Sequence, residues 1–128
     1  MSGLALDTNA VSALFEGDAA LLTLLEDESR LAMPVIVVGE YRFGLLRSRH
    51  KQKLAALLDE LIATSDLLAI DDETATVYAE TRERLRVRGK PLPENDVWIA
   101  ALCRQHRRTL VSRDRHFAEV DGLDCEGW

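Results

Sequence analysis

The sequence predicts an α/β fold in which helices cover both faces of a mainly parallel sheet. Three observations carry that expectation. Short apolar runs alternate with longer amphipathic stretches along the chain, the pattern of strand–helix–strand units. The runs lack the polar alternation of a half-exposed sheet, so both of their faces are expected to be buried. And 128 residues with no linker, internal repeat or low-complexity segment read as one domain, 1–128, long enough to bury its own core.

Taken in order, residues 3–6 read as a first buried strand ending at Asp7. Residues 8–15 read as a short helix closed by Gly17. Asp18 suits the N-cap of a helix over 19–28, where Leu21, Leu22 and Leu25 share a face. A second strand is expected at 31–33. Pro34 opens 35–47, whose β-branched start suggests a strand and whose later apolar spacing is helical. Proline fits the first turn of a helix, so a helix is expected there. Leu54, Leu57, Leu58 and Leu61 make 51–63 an amphipathic helix. A third strand at 67–70 precedes a helix capped by Asp71 or Asp72 and running to Arg88. Gly89, Pro91 and Pro93 then break the chain. Asn95 or Asp96 is expected to cap a helix reaching Arg107, with Ile99, Leu102, Cys103 and His106 on one face. A fourth strand at 109–111 and a terminal one near 123–125 complete the pattern.

The composition is 47% hydrophobic and 30% charged, which excludes a disordered tail or a fibrous repeat. The longest nearly uncharged apolar stretch, 31–39, contains Pro34 and falls far short of the ~20 residues that span a bilayer. The first residues lack a basic, then apolar, signal pattern. A cytoplasmic protein with no membrane partner is therefore expected. Cys103 falls in an apolar helical pattern and reads as core filler; Cys125 completes no metal-ligand spacing.

The net charge of −6 argues against a nucleic-acid partner, but its distribution argues for one. Apart from Arg30, the cations fall in three runs: 42–53, 82–90 and 104–115. An acidic protein can still present a basic face to phosphates. Solvated helix faces with local pairs, such as Glu80 with Arg84, are the ordinary alternative.

Four acids stand out. Ligands of parallel sheets bind beyond the carboxyl ends of the strands. Asp7 ends the first strand and Asp114 follows the fourth by three residues, so both belong to that edge. Asp96 lies at a helix N-terminus. Glu40 sits among Ile36, Val37, Phe43 and Gly44 at helical spacing, where a carboxylate is costly unless neutralised. Each acid alone has an ordinary explanation: Asp7 and Asp96 as caps, Asp114 as a loop acid, Glu40 in solvent or paired with Arg42 or Arg47. Together they suggest converging carboxylates, whose mutual repulsion a hard cation such as Mg²⁺ or Mn²⁺ relieves. Such ions activate water and stabilise the oxygens of phosphoryl transfer, while the basic runs could hold a phosphodiester backbone. Other chemistries lack their motifs. There is no phosphate-binding glycine loop and no nucleophile elbow. Ser112 has no evident triad partner, and His50, His106 and His116 show no metal spacing.

Four motifs occur in order: Leu-Asp-Thr-Asn at 6–9, Gly-Glu-Tyr-Arg-Phe-Gly-Leu at 39–45, Pro-Glu-Asn-Asp-Val-Trp-Ile-Ala-Ala at 93–101 and Val-Ser-Arg-Asp-Arg-His-Phe at 111–117. With them the whole chain resembles a PIN domain, and within that family a VapC-type toxin. The resemblance implies a three-layer α/β/α sandwich around a central, mainly parallel sheet of four or five strands. It implies a Mg²⁺- or Mn²⁺-dependent endoribonuclease that leaves 5′-phosphate and 3′-hydroxyl ends. Asp7, Glu40, Asp96 and Asp114 match the family's four acidic positions, which serve catalysis and metal binding. Asn9 matches the asparagine of the first motif, and Ser112 matches a small hydroxyl position that orients Asp7 or a water. His116 stands where some relatives carry a further acid, which leaves one-metal chemistry open. The resemblance also implies a homodimer, a VapB-like antitoxin lying across the groove near 35–43, and operator DNA bound only through that antitoxin. A catalytically silent RNA- or protein-binding module and a DNA-directed phosphodiesterase are the alternatives on the same fold.

Overall fold

The computed structural model describes residues 3–128. Five strands, β1 (Leu4–Leu6), β2 (Ala32–Pro34), β3 (Asp66–Leu68), β4 (Thr109–Val111) and β5 (Cys125–Glu126), form one sheet in the order β3-β2-β1-β4-β5. Every pairing is parallel. Successive strand residues face opposite sides, yet Ala5 and Leu6, Ala32 and Met33, and Leu110 and Val111 are all fully buried. Both faces are thus covered, as the unbroken apolar runs required.

Six helices supply the cover among the described residues: α1 (Thr8–Phe15), α2 (Ala19–Leu25), α3 (Val35–Leu45), α4 (Lys51–Ala63), α5 (Asp72–Val87) and α6 (Glu94–Gln105). None is long and apolar enough to cross a membrane. α6 is the most deeply placed, with Val97 and every residue from Ile99 to Cys103 buried. Cys103 is core, and burial raises its thiol pKa well above the ordinary range. α5 is stitched to α6 by polar contacts that its weak apolar face alone would not supply. Buried Thr74 donates to Gln105 Oε1, Arg104 donates to Thr81 Oγ1, and the Tyr78 and Trp98 rings stack with centroids 3.8 Å apart. Asp71 caps α5 in a reciprocal box: its carboxylate accepts from Thr74 N at 2.9 Å, and Thr74 Oγ1 accepts from Asp71 N at 3.0 Å.

Several expected boundaries move for local reasons. Pro34 closes β2, pairing opposite Leu68, and α3 starts after it. α2 ends at Leu25, and the Glu28 carboxylate turns back to accept from Leu4 N at 3.3 Å. β3 lies at 66–68, because Asp66 N donates to Leu31 O and the Asp66 carboxylate is gripped by Arg30 and Arg108. α6 is capped by Pro93, neither Asn95 nor Asp96 serving as cap, and it ends at Gln105 because Arg107 adopts a left-handed backbone with φ 54°. The segment after β4, expected as loop, carries a short 3₁₀ turn, Arg115–Glu119, pinned by the fully buried Phe117.

Candidate active site

The sheet order reverses at β1: the chain proceeds to β2 on one side, while β4 lies on the other. A crevice opens at such a switch point, beyond the carboxyl ends of the two strands. Asp7 leaves β1 there with its N–H bonded to Val111 O at 3.0 Å. The loop after β4 brings Ser112 and Asp114 to the same place. A cleft of about 370 Å³ is lined by Asp7, Thr8, Asn9, Glu40, Asp96 and Asp114, with Ser12 at its side. The four acids singled out in the sequence therefore share one cleft.

Asp7 is only 4% exposed. Its Oδ1 accepts from Thr8 N at 2.8 Å, so it caps α1, and its Oδ2 accepts from Ser112 Oγ at 2.7 Å. Cap and site residue are one. Ser112 Oγ in turn accepts from Asp114 N at 3.0 Å and from Asn9 Nδ2 at 3.4 Å. Asn9 Oδ1 accepts from Arg113 N at 3.3 Å. Ser112 and Asn9 thereby tie the loop after β4 to the end of β1 and aim the Asp7 carboxylate.

Glu40 projects from α3 and is held by two residues not singled out in the sequence. Thr8 Oγ1 donates to its Oε1 at 2.9 Å, and Asn95 Nδ2 donates to its Oε2 at 3.3 Å. The anticipated partners are engaged elsewhere: Arg42 pairs with Asp59, and Arg47 lies over the Phe43 ring. Thr8 could have been found between two flagged residues of its motif. Asn95 was hidden by its plausibility as a cap. Replacing Asn95 by alanine frees one end of Glu40 and is expected to lower kcat about three- to tenfold, the worth of one polar hydrogen bond. The chain should stay folded by circular dichroism.

Asp96 occupies the first turn of α6. His116 Nε2 lies 3.0 Å from its Oδ2 but lacks hydrogen-bond alignment and finds no partner in the protein. Burial raises the pKa of Asp96, a shift His116 opposes and Asp7, Glu40 and Asp114 reinforce. Burial likewise raises the pKa of Asp7, against hydrogen bonds from Ser112 and Thr8 and with added repulsion from Asp114 and Glu40. Ionised together, these groups are a strained set. Among the described residues, no three His, Cys, Asp or Glu side chains form a group that could by itself hold a metal ion. The donor set is nonetheless all oxygen, mutually repelling and partly buried, in a cleft with room for water. It fits a hard divalent cation that keeps several waters and is reached by one or two carboxylates directly.

Much of the basic runs serves the fold. Arg86 pairs with Glu83, where Glu80 with Arg84 had the expected spacing; Arg88 reaches Asp121, Arg108 Asp66 and Arg113 Asp18. Arg115 makes no ion pair among the described residues.

A family model described as PIN domain matches residues 4–123. This chain belongs to the PIN domain family. As a PIN domain it is 32% identical over 121 residues to Ribonuclease VapC5 of Mycobacterium tuberculosis, covering 91% of this chain and 87% of that one. Its fold is similar to the structure of VapBC2 from Rickettsia felis bound to a promoter DNA fragment, with TM-score 0.84, 25% identity and 98% of each chain covered. It is also similar to VapBC-5, a member of the VapBC toxin–antitoxin family from Mycobacterium tuberculosis, with TM-score 0.76, 27% identity and coverage of 99% of this chain and 98% of that one. The α/β/α PIN fold expected from the four motifs is the fold observed.

Proposed function

We propose that this PIN domain is the endoribonuclease toxin of a toxin–antitoxin pair and hydrolyses RNA with a bound Mg²⁺ or Mn²⁺. The observation that carries the reading is the convergence of Asp7, Glu40, Asp96 and Asp114 on one cleft at the sheet's switch point. The names of its relatives support it. Asp7, Asp96 and Asp114 would hold the cation, directly or through water, and Glu40 would complete the set or orient the attacking water. When bound, the cation supplies Lewis acidity toward water and phosphoryl oxygen. Ser112 and Asn9 keep Asp7 aimed; Thr8 and Asn95 keep Glu40 aimed. Water adds its oxygen to phosphorus in line, the P–O3′ bond breaks and the 3′ oxygen takes a proton. The products are a 5′-phosphate and a 3′-hydroxyl. A VapB-like antitoxin would cover the cleft and carry the operator DNA contact, with a homodimer as the resting cytoplasmic form.

Antitoxin-free protein incubated with total RNA should make discrete cuts in Mg²⁺ or Mn²⁺ and none in EDTA, and sequencing of the new 5′ ends should find phosphates. Equal cleavage in EDTA would overturn the carboxylate–cation mechanism and move attention to His116. Cleavage confined to flapped DNA would favour the phosphodiesterase alternative.

A further inference from the structure

Beside the carboxylate cleft lies a second cavity, about 660 Å³, between the loop after β4 and the last residues of the chain. Asp114 lines both spaces, so the two adjoin at that carboxylate. In the second cavity the Arg113 guanidinium lies over the Trp128 indole, 4.4 Å from the ring centroid, and its Nη2 reaches Asp18 Oδ2 at 3.5 Å. A flexible cation is thus held over an aromatic ring, with 55% of its side chain still open to solvent. Trp128 Nε1 is buried and has no acceptor within the protein. Arg115 is exposed on the same wall, and Glu126 adds one carboxylate.

Each of these features matches a part of a nucleotide. Bases stack on arginine planes as they do on aromatic rings, and single strands are gripped by such platforms together with unpaired cations. An amino group of a base suits Glu126. We infer that this cavity is a subsite for one unstacked nucleotide of single-stranded RNA next to the scissile phosphate, the base lying on the Arg113–Trp128 platform and Arg115 meeting a phosphate. Arg113 is the recognition residue. Trp128 is a positioning residue that acts through it. The inference rests on the ribonuclease reading of the adjoining cleft.

The test is fluorescence anisotropy of a labelled, mixed-sequence single-stranded RNA decamer in EDTA, where it is not consumed, beside a cleavage assay of the parent protein. Trp128→Ala and Arg113→Lys are each expected to weaken binding about fivefold or more, the worth of one stacked base. Trp128→Phe keeps a platform and should stay within about threefold of the parent. Arg113→Lys retains its charge and should keep the salt dependence; Arg115→Ala should flatten the log–log salt slope by about 0.7, the loss of one phosphate contact on a single strand. Duplex RNA should bind more weakly than the single strand. Parent-like affinity in both Trp128→Ala and Arg113→Lys, with the parent still cleaving RNA, overturns the subsite alone. A parent that neither binds nor cleaves RNA overturns the ribonuclease reading and the subsite with it. Loss of antitoxin binding with RNA affinity unchanged overturns the RNA assignment in favour of a protein contact.

Discussion

Asp96→Asn is expected to abolish cation-dependent cleavage, by about 100-fold or more in kcat, and to raise the melting temperature of the cation-free protein. The two effects share one cause. Asp96 carries a raised pKa because it is partly buried and faces Asp7, Glu40 and Asp114. Asp7 is raised for the same reasons and is more deeply buried. A carboxyl whose folded pKa lies above its unfolded value prefers to be neutral in the fold. Below the ordinary value near 3.8 both states are protonated and nothing is lost. As pH rises through the raised folded pKa, ionisation costs the native state more than the unfolded chain, and stability falls. The cation-free protein should therefore become less stable as pH rises above the ordinary carboxylate value, until both groups are ionised in the fold, and Mg²⁺ or Mn²⁺ should restore what is lost. Asparagine keeps the size and removes the charge. Its gain should be a few degrees, since about 1 kcal/mol moves a domain of this size by roughly 4 °C. Cation affinity in the parent should fall on acidification at a pH above the ordinary carboxylate range, where Asp7 and Asp96 take up protons. Thermal scans of parent and variant across pH, with and without cation, check both halves. A variant that melts lower than the parent without cation at neutral pH would contradict the repulsive site.

How far the sequence speaks can be judged from the same residues. The strands were legible because burial on both faces leaves short unbroken apolar runs, and Asp7 and Asp114 could be assigned to one edge because parallel strands share a direction. Asp7 looked like a cap and is one, yet it is also the most buried acid of the cleft. A single position can satisfy a backbone N–H with one oxygen and a site with the other. Asn95 and Asp96 looked like caps and are not, because Pro93 begins the helix and leaves both side chains free for the cleft. Glu40 announced itself by its apolar neighbours, but its partners Thr8 and Asn95 lie 32 and 55 residues away in sequence. No local pattern reports contacts of that range. The basic runs misled in part for the same reason: Asp66 and Asp121, which claim Arg108 and Arg88, are distant in sequence from both.

Phe117→Ala is expected to be the most damaging single change outside the cleft. The ring is fully buried and is the largest such side chain among the described residues. Phe→Ala in a core costs about 3–5 kcal/mol, against a total stability of about 5–15 kcal/mol for a domain. The melting temperature should fall by roughly 10–20 °C. Activity should fall further than unfolding alone explains, because Phe117 sits in the 3₁₀ turn that follows Asp114 and contains His116, and its N–H closes that turn on Asp114 O at 3.4 Å. Without the ring the turn is left with Val120 and the Arg88 contact to Glu119 O, and the loop that carries Ser112 and Asp114 is expected to lose its register against Asp7. Leu58→Ala supplies the comparison. Leu58 is also fully buried, but it belongs to α4, which contributes nothing to the cleft. With both variants assayed well below their melting temperatures, Leu58→Ala should retain near-parent cleavage per folded molecule, and Phe117→Ala should lose about tenfold or more. Equal losses would mean that Phe117 supports the fold alone. A loss confined to Phe117→Ala would mean that the core holds the carboxylates in place through the turn beside them.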